Sequence, residues 1–164
     1  VFDPEFADYF EKTASELGEG GGLKEKSFVT LYNYLATDLR GLMNEKKTNY
    51  IDLKFTPEHF GHLMRLVVEE ATSSMSTKII LDKMFETGLD PEEILKEENL
   101  GQISDKVELE KIILDVIEKN PGPVGDFKKG KENAIQFLIG QAMARLRGRG
   151  NPTVLAEILR EKLK

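Results

Sequence analysis

A chain of 164 residues, 40% hydrophobic and 32% charged, has the balance of a water-soluble globular protein, and no run reaches the roughly 18 apolar residues that a membrane helix needs. The absence of cysteine excludes disulfides, zinc–thiolate clusters and a thiol nucleophile, and with only His59 and His62 a histidine-rich metal site is excluded too. The net charge of −6 hides a reversal, because residues 1–127 hold 14 Lys and Arg against 26 Asp and Glu, whereas residues 128–164 hold 9 against 3. An acidic bulk that ends in a basic stretch can still meet phosphates locally. The chain opens on Val1-Phe2 without a methionine, as a fragment or processed product would, and no basic-then-apolar leader is present, so a cytoplasmic location is expected.

In chain order, Asp3 and Pro4 announce a helix over residues 4–17, and Gly18 to Gly22, with four glycines in five positions, breaks it. Residues 27–45 carry Phe28, Leu31, Tyr32, Leu35, Leu39, Leu42 and Met43 at helical spacing. Ile51, Leu53 and Phe55 alternate, but a lone strand has no sheet to join, so 50–55 reads as an extended connection. Thr56-Pro57-Glu58 opens a helix that buries Phe60, Leu63, Met64, Val67 and Val68. Another resumes near Ser76, turns Ile79, Ile80, Met84 and Phe85 inward, and ends at Gly88. Asp90-Pro91-Glu92-Glu93 starts a short helix that stops near Asn99.

Asp105 caps a further helix with Leu109, Ile112, Ile113, Val116 and Ile117 as its core face, ended by Asn120-Pro121-Gly122-Pro123. After a short turn or helix at 124–130, residues 131–147 form a long helix that buries Ile135, Leu138, Ile139, Ala142 and Leu146, with Phe137 also inward. Gly148 to Pro152 interrupts, and residues 153–163 close the chain as a last helix. The expectation is an all-α fold of helix hairpins with seams near 46–56 and 89–104.

Most chemical motifs fail on inspection. His59-Phe60-Gly61-His62 lacks the acid of a His-Glu-x-x-His zinc helix. Gly18 to Gly22 is followed by no Gly-Lys-Ser/Thr and preceded by no strand. The hydroxyls of residues 72–77 have no neighbouring base to activate a nucleophile, so they read as helix caps. The acidic pairs Asp82/Glu86 and Glu108/Glu110 belong to solvated helix faces.

The richest local signal is Gly140 to Pro152. Gly140 in mid-helix costs about 1 kcal/mol relative to alanine, which a close helix–helix approach there would justify. Arg145, Arg147 and Arg149 lie on different sides of the chain, and together they can surround a phosphate-bearing surface with guanidinium forks. Lys128, Lys129 and Lys131 add field, and the N–H groups near Thr153 can help hold an anion. The bland reading, a basic helix end followed by a glycine cap, explains the glycines but does not require three arginines within five residues. Phe127 and Phe137 are the only aromatics after residue 85, so with Phe137 inward the expectation is recognition of a backbone by shape rather than base stacking.

These motifs, taken in order, resemble a known family. Ser76 to Gly88 with Met84-Phe85-Glu86-Thr87-Gly88, Asp90-Pro91-Glu92-Glu93-Ile94, Gln102-Ile103-Ser104-Asp105, Asn120-Pro121, Val124, Asp126, Lys128 to Lys131, Phe137 to Gln141, Met143 and Gly148 to Pro152 are similar to the tail of the B subunit of the tRNA-dependent amidotransferases. The likeness covers roughly residues 56–164. Upstream, Asn33-Tyr34-Leu35 stands where the family usually has Asn-Trp. The resemblance implies a helical linker at 1–52, a first tail subdomain at 53–98 and a second at 99–164 with the basic end. It implies a non-catalytic tail that touches the outer corner of a tRNA in an enzyme converting Glu-tRNA(Gln), and in many organisms Asp-tRNA(Asn), to the amide. ATP and Mg2+ would serve a catalytic half elsewhere in the full-length polypeptide, and the amidase (A) and small (C) subunits of the enzyme would be partners. The tRNA contact then falls on Lys131, Arg145, Arg147, Gly148, Arg149, Gly150 and Asn151, supported by Lys128 and Lys129. A protein-docking module within the same assembly, or the tail of the related archaeal protein, are the competing expectations.

Overall fold

The helices begin where the chain supplies a capping oxygen. In the computed structural model, which describes residues 3–18 and 25–164, Asp3 accepts the Phe6 N–H at 3.1 Å and opens α1 (Pro4–Gly18). The glycine break expected at 18–22 falls, after Gly18, outside the described residues. The next stretch is α2 (Glu25–Asn33), a π-helical segment at Tyr34–Leu39 and α3 (Arg40–Lys46). Its wide turn has a cause in the side-chain spacing. Leu31, Leu35, Leu39 and Met43 recur every fourth residue, and at 3.6 residues per turn such a row drifts by about 120° over three steps. The wider π turn counters that drift. All four side chains end in the core, with the three leucines fully buried.

Residues 50–55 are not simply extended. Asn49 accepts the N–H groups of Ile51 and Asp52 and draws Tyr50–Asp52 into one 3-10 turn. Thr56 then caps α4 (Pro57–Val68), Ser73 caps α5 (Ser74–Thr87) earlier than the start expected at Ser76, and Asp90 caps α6 (Pro91–Glu97). Asp105 caps α7 (Lys106–Lys119). Pro121, expected only to stop that helix, also opens α8 (Pro121–Lys128), and α9 (Asn133–Arg145) and α10 (Pro152–Leu163) follow. Among the described residues the only β feature is an isolated bridge between Thr72 and Gly101.

The chain divides into two compact units, residues 1–101 and 102–164. In the first, Tyr9 of α1, Leu31 to Met43, Phe60 and Met64 of α4, Ile80 and Met84 of α5 and Ile94 of α6 share one core. Residues on both sides of the 46–56 stretch therefore bury the same surface. Gly61 has a packing reason, since a Cβ there would sit 3.0 Å from Glu16 Cβ where α4 meets α1. Phe28, Tyr32, Val68 and Ile79, expected on buried faces, are 36–53% exposed because the core is narrower than the apolar stripes. In the second unit α7, α9 and α10 enclose Leu109, Ile113, Val116, Leu138, Ala142, Leu155 and Leu159.

Candidate nucleic-acid interface

The basic end of the chain is built around α9. This helix closes through a 6→1 hydrogen bond from Gly148 N–H to Met143 O at 2.8 Å and a 5→2 bond from Arg147 N–H to Ala144 O at 3.1 Å, the two bonds of a Schellman motif. The left-handed position of that motif belongs to Arg147, at φ 52°, and not to a glycine; Gly148 follows it at φ 75°. Arg147 is exposed and forms no ion pair among the described residues. Its unfavourable backbone setting keeps a guanidinium at the end of the helix where glycine would be more comfortable.

The other loop residues have structural partners. Gly150 is buried, and a Cβ there would meet Leu146 Cδ1 at 2.6 Å and Leu155 Cδ1 at 3.0 Å. Asn151 caps α10 by accepting the Thr153 N–H at 2.9 Å. The Arg149 carbonyl accepts the Ile103 N–H at 2.9 Å, which ties the loop to the segment leading into α7. Gly148, Gly150 and Asn151 thus hold the loop's shape.

The three arginines are not equivalent. Arg145 Nε lies 3.0 Å from Asp115 Oδ2 on α7, and Lys119 Nζ lies 2.7 Å from the other oxygen of the same carboxylate. The Lys119 hydrogen bond, against a smaller opposing effect of desolvation, and the nearby Arg145 charge hold Asp115 below the usual carboxylate range. Arg145 is engaged in binding α9 to α7, whereas Arg147 is not.

The lysines lie at the other end of the helix. From Asn133 to Arg145 the axis runs about 18 Å, so Lys128, Lys129 and Lys131 form a second basic site rather than joining the arginines. Lys131 pairs with Asp126 at 3.0 Å and lines an open cleft of about 490 Å³ with Asp126, Glu132, Asn133 and Ala134, where the carboxylates cancel its field. Lys128 and Lys129 are exposed and form no ion pair among the described residues.

Two expectations about α9 are overturned. Phe137, expected inward, is 49% exposed, because the 3.6-residue period turns it away from the Leu138/Ile139/Ala142 row. Gly140, expected at a close helix contact, has nothing within 4 Å of the place a Cβ would occupy. Sequence reasoning missed the exposed aromatic, although its offset from the buried row was an available signal.

The histidines sit in the other unit. His62 Nδ1 and Asp90 Oδ2 are 2.7 Å apart, and Asp90 also accepts the Glu92 N–H at 2.8 Å. Burial works to raise the Asp90 carboxyl, but these two hydrogen bonds and the charges of His62 and His59 outweigh it and hold it low. Among the described residues no three His, Asp or Glu side chains converge to hold a metal ion. The hydroxyls of Ser73, Ser76 and Thr77 bond to one another or to the backbone at the start of α5.

The GatB domain family model matches residues 8–163, which is nearly the whole chain. The chain belongs to the GatB domain family. Its relatives include the B subunits of the aspartyl/glutamyl-tRNA(Asn/Gln) amidotransferases of Rickettsia felis, 34% identical over 99% of this chain, and of Brevibacillus brevis, 34% identical over 97%. The corresponding protein of Caldanaerobacter subterraneus is 37% identical over 96%. The chain spans about a third of the length of these relatives, 32%, 32% and 31% respectively.

Proposed function

We propose that this GatB domain is a tRNA-recognition tail of an amidotransferase, non-catalytic in itself, that contacts the outer corner of the tRNA through residues 102–164. The observation that carries the reading is the pair of basic ends on α9, Arg147 with Arg149 at one and Lys128 with Lys129 at the other, in a unit whose relatives are named for tRNA substrates. Two basic ends separated by a helix whose axis runs about 18 Å suit separate phosphates on a folded backbone, recognised by shape. In this reading Gly148, Gly150 and Asn151 position the arginine loop, Arg145 braces it through Asp115, and Lys131 contributes weakly because Asp126 neutralises it. Glu-tRNA(Gln), and Asp-tRNA(Asn) where the enzyme serves both, would be the substrates of the whole assembly. ATP, Mg2+ and the amidase and small subunits would act with parts of the full-length polypeptide outside residues 1–164.

The test is titration of the chain against tRNA(Gln) at low and moderate salt, beside Arg147→Ala and the double variant Lys128→Ala/Lys129→Ala. Binding should weaken steeply with salt, with a shallower slope in each variant. Binding unchanged in both variants would remove these cations from the site, and no binding even at low salt would favour protein docking instead. That second reading draws on the exposed apolar Phe28, Val29 and Tyr32 of α2.

A further inference from the structure

We propose that the open face of α9 stacks an unpaired base of a folded RNA on the ring of Phe137. This inference rests on the tRNA reading above and names the contact that the basic anchors flank. Asn133, Phe137, Gly140 and Ala144 fall within about 60° of one another around the helix axis, and all four are exposed. Phe137 is 49% exposed. Beside it, the space over Gly140 is clear to 4 Å, so the ring rises from a shelf of backbone and one methyl group. Alanine is the more favourable residue for an exposed helix position, and nothing inside the protein uses the room that Gly140 leaves. A sugar–phosphate chain passing close to the helix would use it.

Charge selects the occupant. Residues 102–164 hold 12 Lys and Arg against 9 Asp and Glu, and Glu110, Asp115, Asp126 and Glu132 are already paired with cations of the same unit. The exposed cations without an ion pair among the described residues include Lys128 and Lys129 before α9 and Arg147 after it. A helix preceded by Lys128 and Lys129, followed by Arg147, and carrying an exposed aromatic ring with a cleared shelf beside it matches a polyanion that also offers a flat apolar face. An unpaired nucleotide is such a ligand: its base covers the ring and its neighbouring phosphates reach the cations. A paired duplex offers phosphates but no free base face.

The chain contains no tryptophan, so Phe137→Trp creates a single fluorescent reporter on this face. The 164-residue chain is titrated with folded tRNA and with a blunt, fully paired RNA duplex. Tryptophan emission reports stacking, and the anisotropy of end-labelled RNA reports binding independently. The expected result is that Phe137→Trp still binds tRNA, with emission quenched by tRNA and not by the duplex. Phe137→Ala should weaken tRNA binding about tenfold and leave duplex binding unchanged. Gly140→Val should also weaken tRNA binding, with a circular-dichroism melt confirming that each variant folds. The proposal is overturned if anisotropy shows tRNA binding while Phe137→Trp emission stays constant, or if Phe137→Ala weakens both RNAs equally. Absence of any anisotropy change with the parent chain at low salt would instead remove the tRNA reading, and this contact with it.

Discussion

Residues 1–101 and 102–164 are both built from short helices around cores rich in leucine and isoleucine, yet their surfaces carry opposite charge. The first unit has 11 Lys and Arg against 20 Asp and Glu, a net of −9; the second has 12 against 9, a net of +3. The packing of apolar faces is indifferent to what stands on the outer face, so one construction principle yields an acidic body and a basic one. Chemistry differs with it. In the acidic unit the titratable contact with a clear structural role is the His62–Asp90 pair, whereas in the basic unit several acids are neutralised internally and surplus cations are left at the two ends of α9.

The largest expected effect tests whether the two cores are separate. Phe60 is fully buried in the first unit, and Phe60→Ala should destabilise that unit by about 3–5 kcal/mol. Hydrogen exchange should then speed up across α1 to α6 while the α7, α9 and α10 amides keep their protection. Uniform loss throughout the chain would mean one cooperative unit.

The reciprocal change sits in the arginine loop. Gly150→Val places methyl groups where Leu146, Leu155 and Met143 already stand, an overpacking that should cost about 1–3 kcal/mol in chemical denaturation. It should reduce RNA binding by displacing Arg149 without removing any charge. An unchanged denaturation midpoint would show that the loop yields freely.

In the acidic unit, Asp90→Ala removes both the α6 cap and the partner of His62, and should cost about 1 kcal/mol at neutral pH. Because the folded chain holds this carboxyl below its ordinary value, its contribution is complete above about pH 4 and is lost as the pH falls through the lower folded value. The gap between parent and variant stability should therefore close in acid. A gap that widened on acidification would contradict the sign.

The smallest effect separates stability from binding. Arg147→Gly relieves a left-handed arginine and should stabilise the chain by up to ~1 kcal/mol while weakening RNA binding. A shift of both quantities in the same direction would mean that Arg147 serves the fold rather than a ligand.

Caps and periodicity made much of this fold legible in advance. Asp3, Thr56, Asp90 and Asp105 act within three residues of themselves, and such local hydrogen bonds need no knowledge of the rest of the chain. The all-α class and the core rows of α4, α7 and α9 follow from the same short-range logic. The π turn was not legible, because only burial of Leu31, Leu35 and Leu39 against one core makes a wider turn favourable. The arginines show the same limit at the candidate interface: their number was visible, but the partner that engages Arg145 lies on α7, distant in sequence.

By itself, then, the sequence determined where helices start, that they pack as amphipathic elements, and that positive charge gathers near the C-terminal end. Each of these depends on residue type and on spacings of a few residues. Only the tertiary structure decided that Asp115 of α7 engages Arg145, that Arg147 rather than a glycine takes the left-handed cap, and that open space lies over Gly140. Exposure and ion pairing depend on which distant surfaces meet, and a one-residue offset around a helix moves a side chain by about 100°.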